Sequence, residues 1–112
     1  MTLLQTLETL NAQKQYTGTR FDSLRFSQVI ASDLMSDVLV TDWDGFLLVT
    51  SLPSDQSART ADMVGACAIV LVNGKKPQPP LLKLCEELDL PLLTTSFSCF
   101  ETCVALGRQL QP

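Results

Sequence analysis

The chain has 112 residues, of which 46% are apolar and 18% are charged. This length fits one domain with a single core, and the composition excludes a disordered chain, a coiled coil and a collagen-like chain. Twelve acidic against eight basic residues give a net charge of −4, and no Lys/Arg cluster forms the basic face that nucleic acids require, so we predict no DNA or RNA binding.

The first segment has the pattern of an amphipathic helix, with leucines spaced along one helical face: Leu3, Leu4, Leu7 and Leu10. Gly18 offers a left-handed position after a last turn, so we predict an N-terminal helix over residues 1–18. Residues 19–25 are polar and predict an irregular connection. A short strand over 26–31 and a brief helix over 33–38 follow.

From residue 45 onwards, apolar runs of strand length alternate with helical patterns. The predicted strands span 46–50, 67–72 and 92–94. The helices after them begin at Pro53, at Pro79 and at Ser98, where Ser98 and Glu101 form a capping box. The last helix carries a mostly apolar stripe, which we expect to face the core: Phe100, Cys103, Val104, Gly107 and Leu110.

Strands joined by helical crossovers pair in parallel with right-handed connections. We therefore predict an α/β fold with a small, mostly parallel sheet flanked by helices. One domain covers residues 1–112, with the N-terminal helix over 1–18 and the α/β core over 22–110.

Three stretches in this order resemble the DRTGG domain family: DSLRFSQVIASDLMSDV (22–38), DGFLLVTSLPSDQSARTA (44–61), and GACAIVLVNGKKP followed by LDLPLLTTSFSCFE (65–101). The resemblance implies an α/β sandwich, more distantly similar to the N-terminal domains of HPr kinase and Mur ligases. DRTGG domains serve regulation and assembly beside CBS pairs in pyrophosphatases and in some phosphotransacetylases. Short members also occur beside iron-iron hydrogenase subunits. This chain departs from the family at Gln28-Val29, which replace a double glycine.

Ligands of open parallel sheets bind beyond the carboxyl ends of the strands, where loops lead into helix N-termini. Near Ser54 and Ser98, such N-termini offer N–H groups to an anion. We predict a site for a phosphate-bearing small molecule there, made of these residues: Thr50, Ser51, Arg59, Asn73, Gly74, Lys75, Thr94, Thr95 and Ser96. The alternative is that these hydroxyl groups only cap helices and complete turns.

Catalytic constellations are absent from the sequence. It has no histidine, no phosphate-binding G-x-x-x-x-G-K-[ST] loop and no G-x-G-x-x-G motif, so we predict neither an enzyme nor a cofactor. The four cysteines lack C-x-x-C spacing, which favours apolar core thiols in a reducing compartment over a metal site. A nucleophilic Cys99 or Cys103 is the alternative. Asp33 and Asp37 are interpreted as solvated or capping residues rather than a cation site.

Two further expectations concern location and partners. Residues 1–15 lack a signal-peptide core and no apolar run can span a bilayer, so we predict a cytoplasmic protein without a membrane contact. Trp43 is either an exposed anchor for a partner or tucked under the sheet. Open sheet edges and the leucine stripe predict a homodimer.

The sequence thus predicts a non-catalytic regulatory or assembly module that senses a small anionic or nucleotide ligand. The alternative is an accessory structural subunit of a hydrogenase-type redox complex, without a ligand of its own.

Overall fold

The computed structural model describes residues 1–111, which form five helices and five strands. In chain order these are α1 (Leu3–Leu10), β1 (Gln13–Tyr16), β2 (Val29–Ala31), α2 (Met35–Leu39), β3 (Leu47–Thr50), α3 (Gln56–Val64), β4 (Ala68–Leu71), α4 (Pro79–Leu88), β5 (Leu92–Thr94) and α5 (Cys99–Leu110).

The strands form one sheet in the order β1-β5-β4-β3-β2. β2, β3, β4 and β5 run parallel, and β1 joins the edge antiparallel to β5. Every residue of β3 and β4 is buried, because helices cover both faces of these central strands. The predicted α/β fold with a mostly parallel sheet is confirmed.

The core has two layers, one on each face of the sheet. On one face, Leu48 and Ile69 pack against α2, α3 and α4, and on the other face Leu47 and Val70 pack against α1 and α5. All four side chains are fully buried, and each such burial stabilises the fold by roughly 1.5–3 kcal/mol. The continuous apolar runs of the sequence therefore supply both layers at once.

The N-terminal helix is shorter than the sequence predicts. α1 ends at Asn11, which adopts the left-handed conformation with φ of 48° and donates its N–H to the carbonyl groups of the last turn. The chain then enters β1, whose polar residues suit an edge strand, and Gly18 lies in the following loop. The helix predicted over 1–18 is therefore wrong beyond Leu10.

The buried face of α5 also differs from the predicted stripe. Phe100 is 77% exposed, whereas Thr102 and Leu106 are buried. The helix packs against the sheet and α1 through Leu106. Phe100 lies on another side of the helix and therefore faces solvent. The capping box of Ser98 and Glu101 is confirmed. Among residues 1–111, no helix is long and apolar enough to cross a membrane.

Candidate functional site

A cleft of about 570 Å³ opens at the carboxyl ends of β4 and β5, beside β1. Five of the nine predicted ligand residues line it: Gly74, Lys75, Thr94, Thr95 and Ser96. The other predicted residues lie outside its lining: Thr50, Ser51, Arg59 and Asn73. The sequence also missed Lys76 and the glutamines of β1, which do line the cleft.

Backbone hydrogen bonds join the two loops that form one wall of this cleft. The Gly74 N–H donates to the Thr95 carbonyl at 3.0 Å, and the Asn73 N–H donates to the Phe97 carbonyl at 2.8 Å. Asn73 and Gly74 both have left-handed backbones, with φ of 62° and 65°. The resulting sharp turn leaves the next residue, Lys75, exposed at the rim of the cleft.

The positive charge of the cleft comes from Lys75 and Lys76, both of which are exposed. In the described chain, neither lysine has a carboxylate within ion-pair distance. Gln13 and Gln15 of β1 also line the cleft, and the Gln15 side-chain amide donates to the Thr94 hydroxyl at 3.1 Å. The cleft therefore combines free cations with hydrogen-bonding amides.

Thr95 serves the fold rather than the cleft. Its hydroxyl donates to the Leu10 carbonyl at 2.7 Å and accepts from the Phe97 N–H at 3.2 Å, and the residue is only 3% exposed. This hydrogen bond satisfies a carbonyl at the end of α1, so the hydroxyl is not free to bind a ligand.

Asp33 accepts hydrogen bonds from the hydroxyl groups at the end of β3. Its carboxylate accepts from the Thr50 hydroxyl at 3.0 Å, and from the Ser51 amide at 2.7 Å and hydroxyl at 2.5 Å. The hydrogen bonds from Ser51 lower the pKa of Asp33, with smaller contributions from Thr50 and Lys75, against an opposing effect of burial. Thr50 and Ser51 are thus engaged with an acid. Asp33 also precedes α2 instead of lying in it.

The two helix N-termini named above hold carboxylates of their own. At α3, Asp55 pairs with Arg59 at 3.1 Å, which leaves Arg59 neutralised away from the cleft. At α5, the Ser98 N–H donates to Glu101 at 3.0 Å and the Glu101 N–H donates to the Ser98 hydroxyl at 3.1 Å. An anion at either end would meet a carboxylate, so these ends add little to anion binding.

The cysteines fall into two pairs, and all four are free thiols. Cys67 and Cys85 are buried, which raises the pKa of their thiols to about 11 and about 12. Cys99 and Cys103 are half-buried on α5, and burial also raises the pKa of Cys103. The prediction of core thiols therefore holds for two of the four. Within residues 1–111, no three His, Cys, Asp or Glu side chains gather as metal ligands.

Comparisons with known proteins give one informative likeness. No family model and no curated protein matches the chain. A crystal structure of the CBS and DRTGG domains of the regulatory region of Clostridium perfringens pyrophosphatase, complexed with the activator diadenosine tetraphosphate, superposes with a TM-score of 0.70 at 13% identity. The alignment covers 94% of this chain and 45% of that chain.

At this identity the likeness establishes the fold, which is DRTGG-like. The chain spans less than half the length of the pyrophosphatase regulatory region. That region is regulatory by its description. Neither it nor the described residues point to the hydrogenase-type partner that the sequence left as an alternative.

Proposed function

We propose that the protein is a non-catalytic regulatory module that binds a phosphate-bearing small molecule of the nucleotide class in the cleft beside β1. The observation that carries the proposal is the pair Lys75 and Lys76, exposed at the cleft without an ion-pair partner in the part of the chain that the structure describes. Two ammonium groups attract a polyphosphate, and Gln13 and Gln15 supply hydrogen bonds for a polar ring or sugar.

Two further points support this proposal. The pyrophosphatase region with the same fold is described as complexed with a nucleotide activator. The sequence, moreover, offers no histidine base and no phosphate-wrapping glycine loop, so binding is the chemistry that the cleft residues can perform.

Thermal unfolding in the presence of diadenosine tetraphosphate, ATP, adenosine or inorganic phosphate tests the proposal. A ligand present at about 100 times its Kd adds about 2.7 kcal/mol to the free energy of unfolding. For a domain of this size each kcal/mol raises Tm by about 4–8 °C. We expect the largest shift with the longest phosphate chain and none with adenosine. No shift with any of the four at millimolar concentration would contradict the proposal.

A matched pair of double variants locates the binding site. Lys75→Gln with Lys76→Gln removes two charges from the cleft, and Lys83→Gln with Arg108→Gln removes two exposed charges from α4 and α5. Loss of two charge-assisted contacts, at about 1.5–3 kcal/mol each, should weaken binding by at least tenfold. Equal weakening in both double variants would mean that the ligand responds only to net charge.

The module is also proposed to be a homodimer. α1 folds back on its own sheet, so it does not cross to a partner, but Leu4 on α1 and Phe100 on α5 stay 57% and 77% exposed. These two helices pack together, and an isologous contact would cover both side chains. Light scattering at tens of micromolar should report a dimer, and Leu4→Asp with Phe100→Asp should give a folded monomer. A monomer for the unaltered chain would end this proposal.

A further inference from the structure

A second cleft, of about 560 Å³, lies at the opposite edge of the sheet, between β2 and α5. Its walls include Val29 and Ala31 of β2, Leu106 and Leu110 of α5, and Trp43 from the loop before β3. Gln28 and Val29, the two residues that replace the double glycine of the resemblance, both line it. This cleft is separate from the proposed ligand site and has a different lining.

On its outer side, β2 has no neighbouring strand within residues 1–111. The Leu47 N–H donates to the Gln28 carbonyl, and the Ser32 N–H donates to the Val49 carbonyl, each at 3.0 Å. Because alternate peptide groups of a strand point to opposite sides, the N–H and C=O groups of Val29 and Ala31 point away from β3. β2 is the last strand of the sheet, so these groups face an open edge.

An exposed aromatic side chain adjoins the apolar residues of this cleft. Trp43, which lines the cleft together with Val29 and Leu106, is 49% exposed. Of the two alternatives for Trp43, the structure has the exposed one. An apolar cluster beside an open strand is the composition of a site that accepts a further strand from a partner.

Acidic residues flank the tryptophan of this cleft. Asp42 and Asp44, on either side of Trp43 in the chain, are both exposed. Neither forms an ion pair within residues 1–111. A second copy docked on Trp43 would bring these like charges together, which opposes self-association here.

We propose that the β2 edge, with Trp43 and the α5 groove, binds an extended segment of a partner protein that alternates basic and apolar residues. The segment adds to β2 as a sixth strand and hydrogen-bonds to the peptide groups of Val29 and Ala31. Its apolar residues enter the groove, and its Lys or Arg residues meet the aspartates around Trp43. Charge complementarity identifies the partner as basic.

The test uses three seven-residue peptides and the fluorescence of Trp43, which is the only tryptophan of the chain. The first peptide alternates lysine and valine, the second replaces each lysine by glutamate, and the third contains the lysines and valines of the first in two blocks. We expect a saturable blue shift with the alternating basic peptide and at least about tenfold weaker binding of the other two. Binding should weaken with added salt, because the Debye length falls from about 10 Å at 0.1 M to about 3 Å at 1 M.

Two substitutions of Ala31 distinguish the contribution of its backbone N–H to peptide binding from that of its side chain. Ala31→Pro removes the outward N–H while keeping the hydrogen bonds to β3, and Ala31→Val keeps that N–H with a side chain of similar volume. We expect Ala31→Pro to weaken the basic peptide at least about tenfold and Ala31→Val to retain binding, because a strand bonds through the backbone. Circular dichroism verifies that both variants are folded.

A second pair of variants tests the charge. Asp42→Asn with Asp44→Asn should weaken binding of the basic peptide, whereas Asp62→Asn with Glu86→Gln, which removes two exposed carboxylates elsewhere, should not. Absence of saturation at about 1 mM peptide would overturn the proposal, as would equal binding of the blocked peptide. A dimer that Ala31→Pro converts to a monomer would overturn it too, since a second copy would then occupy the edge.

Discussion

The Asp89 carboxylate accepts two hydrogen bonds from Thr19, one from the backbone N–H at 2.8 Å and one from the hydroxyl at 2.5 Å. It also accepts from the Tyr16 hydroxyl at 3.0 Å. Asp89 ends α4 with a left-handed backbone, φ of 54°, and Gly18 passes so close that a Cβ there would lie 2.7 Å from its Oδ1. One side chain thus fastens the loop after β1 to the end of α4.

The first prediction follows from the pKa of Asp89, which these hydrogen bonds, chiefly those from Thr19, lower below its ordinary value of 3.8. A carboxyl group with a lowered folded pKa contributes stability above its unfolded pKa and loses that stability as the pH falls through the folded pKa. Asp89→Asn should therefore lower the urea midpoint at neutral pH and flatten its decline below about pH 4.

Asparagine tolerates the left-handed backbone and keeps one acceptor oxygen, so this substitution tests the charge and the second acceptor rather than the turn. Urea unfolding of both proteins between about pH 7 and about pH 2 measures the effect. Parallel pH profiles for the two proteins would show that Asp89 does not contribute to acid sensitivity.

The second prediction concerns Gly65, the left-handed residue that ends α3 with φ of 77°. A Cβ at this position would lie 2.2 Å from Oδ1 of Asp44. Gly65→Ala should lower the free energy of unfolding by at least about 1–2 kcal/mol, because an L-residue is strained there and Asp44 must rotate away. Chemical denaturation gives the value.

Gly45→Ala separates the two contributions to this cost. Gly45 has φ of 73°, but no atom lies within 4 Å of its Cβ position in the described residues. Gly45→Ala introduces backbone strain without a steric clash, so it should lower the free energy of unfolding by less than Gly65→Ala. A larger loss of stability for Gly45→Ala than for Gly65→Ala would mean that Asp44 moves away from the new Cβ of residue 65 without a cost in stability.

The third prediction pairs two buried threonines with opposite expectations. Thr95→Val removes the donor to the Leu10 carbonyl and leaves that buried acceptor unpaired, at a cost of about 1–3 kcal/mol. The hydroxyl of Thr102 is buried without a hydrogen-bond partner in residues 1–111. Thr102→Val should therefore stabilise the protein by about 1 kcal/mol.

Thermal unfolding of the two valine variants compares them directly, since both exchange a hydroxyl for a methyl group of similar size. A loss of stability in both would indicate that Thr102 has a partner, such as a bound water molecule.

The fourth prediction concerns the reactivity of the thiols. In the folded protein at about pH 8, iodoacetamide should label Cys99 and, more slowly because burial raises its pKa, Cys103. Cys67 and Cys85 should react only after unfolding, because their raised pKa values keep them protonated and burial excludes the reagent. Mass spectrometry counts the labels. If iodoacetamide alkylated Cys99 or Cys103 faster than the cysteine of a free peptide, this result would favour a nucleophilic cysteine over a binding module.

Much of the fold could be predicted because the central strands are apolar nearly throughout, and such runs indicate strands that are buried on both faces. The runs around β3, β4 and β5 are apolar on both faces, and each is followed by a helix with a clear start signal. β1 could not be predicted in this way. Its four residues are polar and mostly exposed, and its place in the sheet depends on pairing with β5, far along the chain.

The candidate site could be predicted only in part, for a similar reason. Residue type identified Lys75 and the loop after β5, but it could not show that Asp33 uses the hydroxyl groups of Thr50 and Ser51. That pairing joins neighbouring parallel strands, so it depends on sheet order. The acid two residues after the end of β2 was the available signal, because the carboxyl ends of parallel strands meet at one edge of the sheet.

The pairing of β1 with β5 has a consequence for biosynthesis. Gln13 pairs with Thr94, so the first strand of the sheet in chain order pairs with the last one, and most of the described chain lies between them. During translation β1 and the end of α1 are made early. Their partner strand β5, and the Thr95 hydroxyl that donates to the Leu10 carbonyl, are not made until residue 95 has been added. Contacts of such separation close slowly. Leu3 and Leu10 of α1 therefore complete their core cluster only after Leu93 and Leu106 have been synthesised, so this face of the sheet is closed late.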